Sequence, residues 1–148
     1  MSTRSYIGQL QPNGTVRAIY CHSDGYPEHV GAVLAGHHAT AARVAALLDL
    51  GDLSQLHPAT CPPPGVAHRF GAVAPGVCVA YGRDRGDSDT AAVEYADVAT
   101  FYADAIGEDG PAEWAYLFAP VSGWWVCGRD KPGQHAPLSL LLASLPTT

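Results

Sequence analysis

The stretch YCHSDGYPEHVG, residues 20–31, places two histidines, two carboxylates, a cysteine and two tyrosines within twelve positions. Residues of these types can hold a metal ion, act as a base beside an acid or a thiol, or bind a small ligand. A fourth interpretation is purely structural, with the stretch as the junction between a strand and a helix. Residue types alone leave all four open, so spacing must separate them.

A metal site would draw on His22, Asp24 and His29, a nitrogen and oxygen set that suits zinc or a harder divalent ion. Their spacing matches none of the standard metal signatures, and no further ligand is evident nearby. The structural interpretation explains the same residues, with Asp24-Gly25 as a turn. We therefore predict no metal and no other cofactor.

A catalytic centre would pair a histidine with an acid or with the thiol of Cys21. Cys21 and His22 are neighbours in a predicted strand, where successive side chains point to opposite faces, so they cannot easily act together. A hydrolase or transferase that uses His22 or His29 as its base remains an alternative. We assign no catalytic residue and favour binding over turnover.

A ligand-binding turn would use most of the side chains in the stretch. The start of a helix presents free backbone N–H groups and the positive end of the helix dipole, which favour an anion. Tyrosine rings can stack on a base, and histidine N–H groups can donate hydrogen bonds. We predict that one wall of a binding site consists of Tyr20, His22, Asp24, Tyr26 and His29.

The segment YGRDRGD, residues 81–87, supplies a second set of charges. Arg83 and Arg85 alternate around Asp84, so they share a face if the preceding strand continues, and could then clamp a phosphate or carboxylate. The alternative is a solvated loop with local Arg–Asp pairs. We predict that Arg83 and Arg85 neutralise the charge of the ligand, although nothing in the sequence shows that the two stretches meet.

The framework for these stretches is predicted to be a single α+β domain over residues 1–148, with a core of 1–130 and a C-terminal tail of 131–148. The order ββααβαββ gives a mostly antiparallel sheet of about five strands with helices packed on it, followed by a short C-terminal helix. The predicted strands at 5–10 and 15–21 flank a tight turn at Asn13-Gly14 and form a hairpin, and a third strand is predicted at 77–82. Helices are predicted from Pro27, at 41–50 with Thr40 as its cap, through Ile106 with Asp97 as its cap, and within 137–145. An aromatic hairpin is predicted over 113–129, a turn at 52–56 and a polar loop at 83–90.

Charge and composition argue against several classes of partner. The chain has a net charge of −6, which disfavours nucleic acid because phosphate contacts need a basic stripe. The longest apolar run, near Leu138–Leu145, is too short to span a membrane. Four scattered cysteines and an N-terminal segment without an apolar signal predict a cytoplasmic protein with reduced thiols. The charged fraction of 15% is low and permits a homo-oligomer.

Five stretches together resemble a family of small proteins encoded by bacteriophages and prophages: MSTRSYIG, YCHSDGYPEHVG, LLDLGDLSQL, YGRDRGD and EWAYLF with GWWV. Members typically show YCHWDGYxEHxG, a helix, LIxLGDLSxL, YxRDRGE and an aromatic C-terminal hairpin. The match covers residues 2 to about 126. This chain differs at Ser23, where the family has tryptophan, and at Asp87, where it has glutamate. The resemblance implies an accessory protein of a mobile element, without an established activity.

We therefore predict an accessory protein of the phage or prophage type that captures a small anionic or nucleotide-like ligand in the host cytoplasm, with counter-defence as one expected role. The alternative is an inhibitor that binds a host protein through a neutral, aromatic surface and has no small-molecule site. Adjacent Trp124 and Trp125 point to opposite faces of a strand, so at least one should meet solvent, a ligand or a partner. A pocket would favour capture over inhibition.

Overall fold

Within residues 2–131 and 133–145, which the computed structural model describes, the chain forms a mixed sheet of eight strands with five helices around it. The strands are β1 (Ser5–Leu10), β2 (Val16–Cys21), β3 (Leu53–Gln55), β4 (Val79–Ala80), β5 (Val93–Tyr95), β6 (Trp114–Ala119), β7 (Gly123–Gly128) and β8 (Ala136–Pro137). The helices are α1 (Ala32–His37), which follows a π-helical turn (Pro27–Gly31), α2 (Ala41–Asp49), α3 (Tyr81–Arg85), α4 (Val98–Ile106) and α5 (Leu138–Ser144). Among these described residues, no helix has the length and apolar character needed to cross a bilayer.

The strands lie in the order β4-β3-β2-β1-β6-β7-β8, and β5 also pairs with β2. Two pairs, β1 with β6 and β2 with β3, are parallel, and the other pairings are antiparallel. The predicted α+β class is therefore confirmed, whereas the predicted number of strands is too low and the element order differs. Strands β3, β5 and β8 have only two or three residues each, too few for an alternating pattern to reveal them. Of the predicted tail, residues 132 and 146–148 lie outside the described residues.

The first hairpin forms where the sequence predicts it. Gly14 adopts a φ of 89°, which glycine reaches without strain. The side chain of Asn13 accepts hydrogen bonds from the backbone N–H and the hydroxyl of Thr15. The register places Ile7 opposite Ile19, and both are buried. A slip of one residue would expose this apolar face, so burial fixes the register.

Two helices begin at their predicted caps. The Thr40 hydroxyl accepts the N–H of Arg43 at 3.2 Å, and the Asp97 carboxylate accepts the N–H of Thr100 at 2.8 Å. These bonds satisfy N–H groups that the first turn of a helix leaves without backbone partners. Helix α4 ends at Ile106, as predicted.

The turn predicted at 52–56 is wrong, because this segment contains β3. Leu53 pairs with Cys21 of β2 on one side and with Ala80 of β4 on the other. Leu53 is fully buried, so pairing and burial decide the conformation of a segment whose local sequence favours a turn. Tertiary contacts thus override the local signal.

The strand predicted at 77–82 is confined to β4, and the polar loop predicted at 83–90 begins inside α3. The chain enters the helix at Tyr81. The Asp84 carboxylate accepts the N–H of Ala80 at 2.8 Å, which satisfies a donor at the helix start. The sequence alternation around Asp84 therefore does not describe a strand.

Each face of the sheet carries a hydrophobic cluster. We call the face beneath α1, α2 and α5 the first face, and the face beneath α4 the second face. The first-face cluster includes Ile7, Ile19, Cys21, Leu34, Leu47, Tyr116, Phe118, Val126 and Leu138. The second-face cluster includes Val16, Ala18, Phe101, Ala105, Ala115 and Leu117. Because α4 is the helix that contributes to the second-face cluster, three helices support one face and a single helix the other.

Two buried side-chain bonds tie loops to the hairpin of β6 and β7. The Tyr116 hydroxyl donates to the carbonyl of Gly25 at 2.7 Å, and the Trp124 indole N–H donates to the carbonyl of His38 at 2.8 Å. Both rings are buried. The aromatic hairpin therefore positions the 20–31 junction and the end of α1 as well as filling the core.

Candidate functional site

The sheet divides the side chains of the 20–31 junction into two groups. Ile19 and Cys21 belong to the first-face cluster. The alternating residues Tyr20 and His22 therefore lie toward the second face. There the Tyr20 hydroxyl is hydrogen-bonded to Nδ1 of His22 at 2.7 Å.

Asp24, Tyr26 and His29 form the other group, at the start of the helical segment. The Tyr26 hydroxyl donates to Asp24 at 3.4 Å, and the ring centroids of Tyr26 and His29 are 6.5 Å apart. Nε2 of His29 donates to the carbonyl of Leu56 at 3.3 Å, and the ring centroid of His29 is 6.1 Å from that of His57. The five predicted residues therefore do not form one wall.

The backbone at the start of the helical segment uses several of its own N–H groups. Asp24 adopts a φ of 54°, a left-handed conformation that aspartate tolerates better than most residues. The N–H groups of His29 and Val30 donate to the carbonyls of Tyr26 and Asp24. The N–H groups predicted for anion binding are thus partly satisfied within the chain.

Cys21 is fully buried in the first-face cluster. Burial raises the pKa of its thiol to about 12, so the thiol is protonated near neutral pH and is a poor nucleophile. The structure therefore offers no support for a Cys–His pair at this position.

Helix α3 changes the directions of the two predicted clamp residues. In a helix, residues two apart lie on different sides, so Arg83 and Arg85 do not share a face as strand alternation would require. Arg83 donates to the carboxylate of Asp84 at 2.8 Å and to the carbonyls of Thr60 and Cys78. Its guanidinium group therefore supports the loop that precedes β4.

Arg85 is held by a carboxylate and two aromatic rings. Its Nη2 atom lies 2.7 Å from the carboxylate of Asp87. The guanidinium carbon lies 4.6 Å from the ring centroid of Phe70 and 4.8 Å from that of Tyr81. Both predicted clamp residues therefore have partners within the chain.

His68 and Asp84 form a buried pair that the sequence analysis missed. Their side chains are 2% and 3% exposed, and Nε2 of His68 lies 3.2 Å from Oδ2 of Asp84. The same nitrogen is 3.0 Å from the carbonyl oxygen of Cys78, while Nδ1 accepts the N–H of Ala74 at 2.9 Å. Because Nδ1 accepts a hydrogen bond, Nε2 carries the proton of the ring. The imidazole therefore links the backbone of Ala74 to that of Cys78, in the loop that precedes β4.

Asp84 is the centre of this network. Burial opposes its ionisation, but bonds from the Arg83 guanidinium and the Ala80 N–H outweigh burial and lower the pKa of Asp84. His68 lies 16 residues before Asp84, on the other side of an irregular segment and β4. No local pattern pairs residues so far apart, so the sequence held no signal for this network.

A cleft of about 740 Å³ lies between the start of β6, the end of β7, the π-helical turn and α5. Of the seven predicted ligand-binding residues, Tyr26 lines it and the other six do not. The lining residues are Thr3, Tyr26, Glu113, Trp114, Val126, Gly128, Arg129, Asp130, Lys131, Gln134, His135, Ala136 and Leu141.

Trp114 and Tyr26 give the cleft its largest aromatic surface. Trp114 lies opposite Gly128 in the β6–β7 register, and a Cβ on that glycine would come within 3.0 Å of the indole ring. Glycine therefore allows the ring to lie close to β7. Tyr26 is 38% exposed, so its ring is accessible to a bound molecule.

The cations of the cleft come from the segment that follows β7. Arg129 donates through its guanidinium group to the carbonyl of Gly110. Lys131 is exposed and makes no ion pair among the described residues. On the opposite side, the Glu113 carboxylate accepts the backbone N–H of Arg4 at 2.7 Å. Lys131 is the first residue of the predicted tail, and the sequence predicted no binding role for it.

No group of three or more histidine, cysteine, aspartate or glutamate side chains in the described part of the chain is arranged to hold a metal ion. Comparison of the chain with protein-family models, with curated proteins and with solved structures found no match.

Proposed function

We propose that the protein captures a small anionic or nucleotide-like ligand in the cleft around Trp114 and Tyr26, as an accessory protein of the phage or prophage type that binds its ligand without turnover. The observation that carries the proposal is the cleft itself. Its volume of about 740 Å³ falls within the range of about 300–1,000 Å³ that is usual for small-molecule sites.

The lining supplies the two kinds of contact that a nucleotide needs. Trp114 and Tyr26 offer rings on which a base can stack, and such stacking contributes about 1–3 kcal/mol per base. Arg129 and Lys131 lie in one wall and can attract a phosphate or carboxylate group. Leu141 adds apolar surface that suits a ring rather than a fully hydrated ion.

The motif of residues 20–31 takes part in this site through Tyr26 and through its backbone. The bond from Tyr116 to Gly25 fixes the residue before Tyr26 against β6. Trp114 lies in the same strand, two residues before Tyr116. The proposal therefore retains Tyr26 from the predicted wall and replaces the predicted arginine clamp with Arg129 and Lys131.

A second candidate function, inhibition of a host protein, is favoured by an apolar groove on the second face. The groove has a volume of about 210 Å³ and includes the half-buried Trp125. A small apolar groove with a partly accessible indole suits a side chain of a partner protein better than an anion. Its lining residues are Leu10, Val98, Tyr102, Leu117, Ala119, Trp125 and His135.

Native mass spectrometry of protein purified gently from a bacterial host tests ligand capture. We expect a mass excess that matches a nucleotide or another small anion. Isothermal titration with nucleoside mono-, di- and triphosphates then measures the affinity. An unliganded mass together with no heat of binding for the whole panel would contradict the proposal and favour the inhibitor.

Two substitutions locate the site. Tyr26→Ala should weaken binding by about 5–150-fold, the equivalent of one lost stacking interaction, and the exposure of Tyr26 makes the change tolerable for the fold. Lys131→Gln should weaken binding and reduce its dependence on salt. Arg69→Gln removes an exposed arginine outside the cleft and is the matched control. Equal losses for Lys131→Gln and Arg69→Gln would show a general effect of net charge.

A further inference from the structure

The second face of the sheet carries a row of polar aromatic side chains that the cleft does not use. Tyr6 and Tyr20 are paired across β1 and β2, and their ring centroids are 5.5 Å apart. His22 continues the row, with its ring centroid 6.0 Å from that of Tyr20. All three are half-buried, and they line neither the cleft nor the apolar groove. With Asp52, they form what we call the tyrosine patch.

Asp52 gives the tyrosine patch a negative charge. Its Oδ1 atom accepts the backbone N–H of Tyr20 at 2.9 Å, and no ion pair of Asp52 is found among the described residues. Burial raises the pKa of Tyr6, and the charges of Asp52 and Asp104 raise it further. The Tyr6 ring therefore lies in the field of two carboxylates, for which no salt bridge is found among the described residues.

The chain itself shows what such a combination can bind. The Arg85 guanidinium carbon lies 4.6 Å and 4.8 Å from the centroids of Phe70 and Tyr81, and the same side chain is 2.7 Å from the carboxylate of Asp87. Two aromatic rings and a carboxylate thus hold one guanidinium group. The tyrosine patch has the same components, and its carboxylate lacks a cationic partner among the described residues.

We propose that the tyrosine patch binds the guanidinium or ammonium group of an arginine or lysine side chain on a partner protein. Aromatic faces attract organic cations, and the carboxylate of Asp52 supplies the opposite charge. The net charge of −6 favours the approach of a cationic surface. Free small molecules are usually bound in concave sites. The patch lies outside both cavities, so a side chain presented by a larger partner fits it better.

Arg4 is the competing cation at this surface. Burial raises the pKa of Tyr20 to about 12, and the charge of Arg4 acts in the opposite direction. Arg4 is exposed, so an incoming cation would meet its repulsion. Removal of this charge should therefore strengthen binding. The inference is separate from ligand capture, because the patch and the cleft share no residue.

NMR titration of the full chain, with isotope-labelled tyrosine rings, tests the proposal with the end-blocked peptides Gly-Arg-Gly and Gly-Lys-Gly. We expect saturable shifts of the Tyr6 and Tyr20 resonances and no saturable shift with Gly-Gln-Gly. Asp52→Asn should weaken binding by about fivefold or more, and it preserves an oxygen that can accept the N–H of Tyr20. Asp109→Asn, at an exposed acid elsewhere, should leave binding unchanged.

Several outcomes would overturn the proposal. Saturable shifts with Gly-Gln-Gly, or an unchanged Kd in Asp52→Asn, would show that charge does not govern the binding. Weaker binding in Arg4→Gln would show that Arg4 is a ligand contact and not a competitor. Tetramethylammonium binding as tight as that of the peptides would identify a site for a free organic cation. Tyr26→Ala should leave peptide binding unchanged, since Tyr26 belongs to the cleft.

Discussion

The buried network around Asp84 and the open cleft around Trp114 contain similar residues and differ in how these are satisfied. Both include an arginine, a carboxylate and a histidine. In the network, Asp84 bonds to both His68 and Arg83, and all three residues also bond to backbone groups. In the cleft, Lys131 has no salt-bridge partner in the described part of the chain.

This difference separates residues that hold the fold from residues that are available to a ligand. The network satisfies carbonyls of an irregular loop, including those of Thr60 and Cys78, which would otherwise be costly to bury. The cleft leaves its lysine and the exposed side of Tyr26 in contact with solvent. Residue type alone would assign the same role to both regions. The hydrogen-bond partners of each side chain instead indicate a structural role for the Asp84 network and a binding role for the cleft.

Asp84→Ala should have the largest effect on stability. The substitution removes an acceptor from the Ala80 N–H, from the Nε2–H of the buried His68 and from the Arg83 guanidinium. A buried donor that loses its acceptor costs about 1–3 kcal/mol, and this carboxylate serves three donors. We expect a decrease in the free energy of unfolding that exceeds the cost of a single lost bond, measured by urea denaturation. Where the variant remains folded, the cleft should keep its affinity for a nucleotide.

Asp87→Ala is the matched control for this prediction. Asp87 also pairs with an arginine of α3, but that pair is at the surface, with the Arg85 side chain 49% exposed. Exposed ion pairs contribute little to stability, so the loss should be far smaller than in Asp84→Ala. Equal losses in the two variants would mean that burial does not distinguish the two regions.

The sequence predicts the features of the fold that depend on neighbouring residues. Asn13-Gly14 predicts the first hairpin, and Thr40 and Asp97 predict the starts of α2 and α4, because turns and caps are local. The parallel pairing of β1 with β6 is not predicted, because it joins residues about a hundred positions apart, such as Ser5 and Trp114. Short strands such as β3 form for the same non-local reason.

The candidate site was predictable to the same limited degree. Tyr26 belongs to a motif rich in chemical groups, so it is identifiable from local composition. The cleft depends on the approach of Trp114 and of the segment around Lys131, and the bond that holds the motif there spans 91 residues. Strand alternation predicts a clamp of Arg83 and Arg85 because it places them on one face, whereas α3 separates them.

Tyr116→Phe should have an intermediate effect and tests the link between the hairpin and the cleft. The substitution leaves the carbonyl of Gly25 without its buried donor, which costs about 1–3 kcal/mol. We expect that decrease in the free energy of unfolding, and weaker ligand binding because Tyr26 follows Gly25. Tyr102→Phe is the control. The Tyr102 hydroxyl is buried without a hydrogen-bond partner among the described residues, so its removal should not lower stability.

The pH dependence of stability should show the smallest effect, and it depends on His38. This side chain is fully buried, its Nε2 donates to the carbonyl of His57 at 3.0 Å, and its Nδ1 has no partner among the described residues. Protonation would place a second N–H where no acceptor lies. Burial is the main cause that lowers the pKa of His38, and burial also lowers the pKa of His57.

The sign of the pH effect follows from these lowered values. Below about pH 6.5 the unfolded chain takes up protons that the folded chain does not bind, so the free energy of unfolding falls as the pH falls, by at most about 1.4 kcal/mol per pH unit for each histidine. Above that pH, these histidines contribute no slope.

His38→Gln, whose amide can donate to the same carbonyl, should reduce the slope between pH 6.5 and 5, and His37→Gln at an exposed position should not. An unchanged slope in His38→Gln would mean that a buried histidine with an unsatisfied nitrogen is no more sensitive to acid than an exposed one. The hydrogen-bond partners of a side chain would then not be sufficient to separate structural residues from residues that respond to their surroundings.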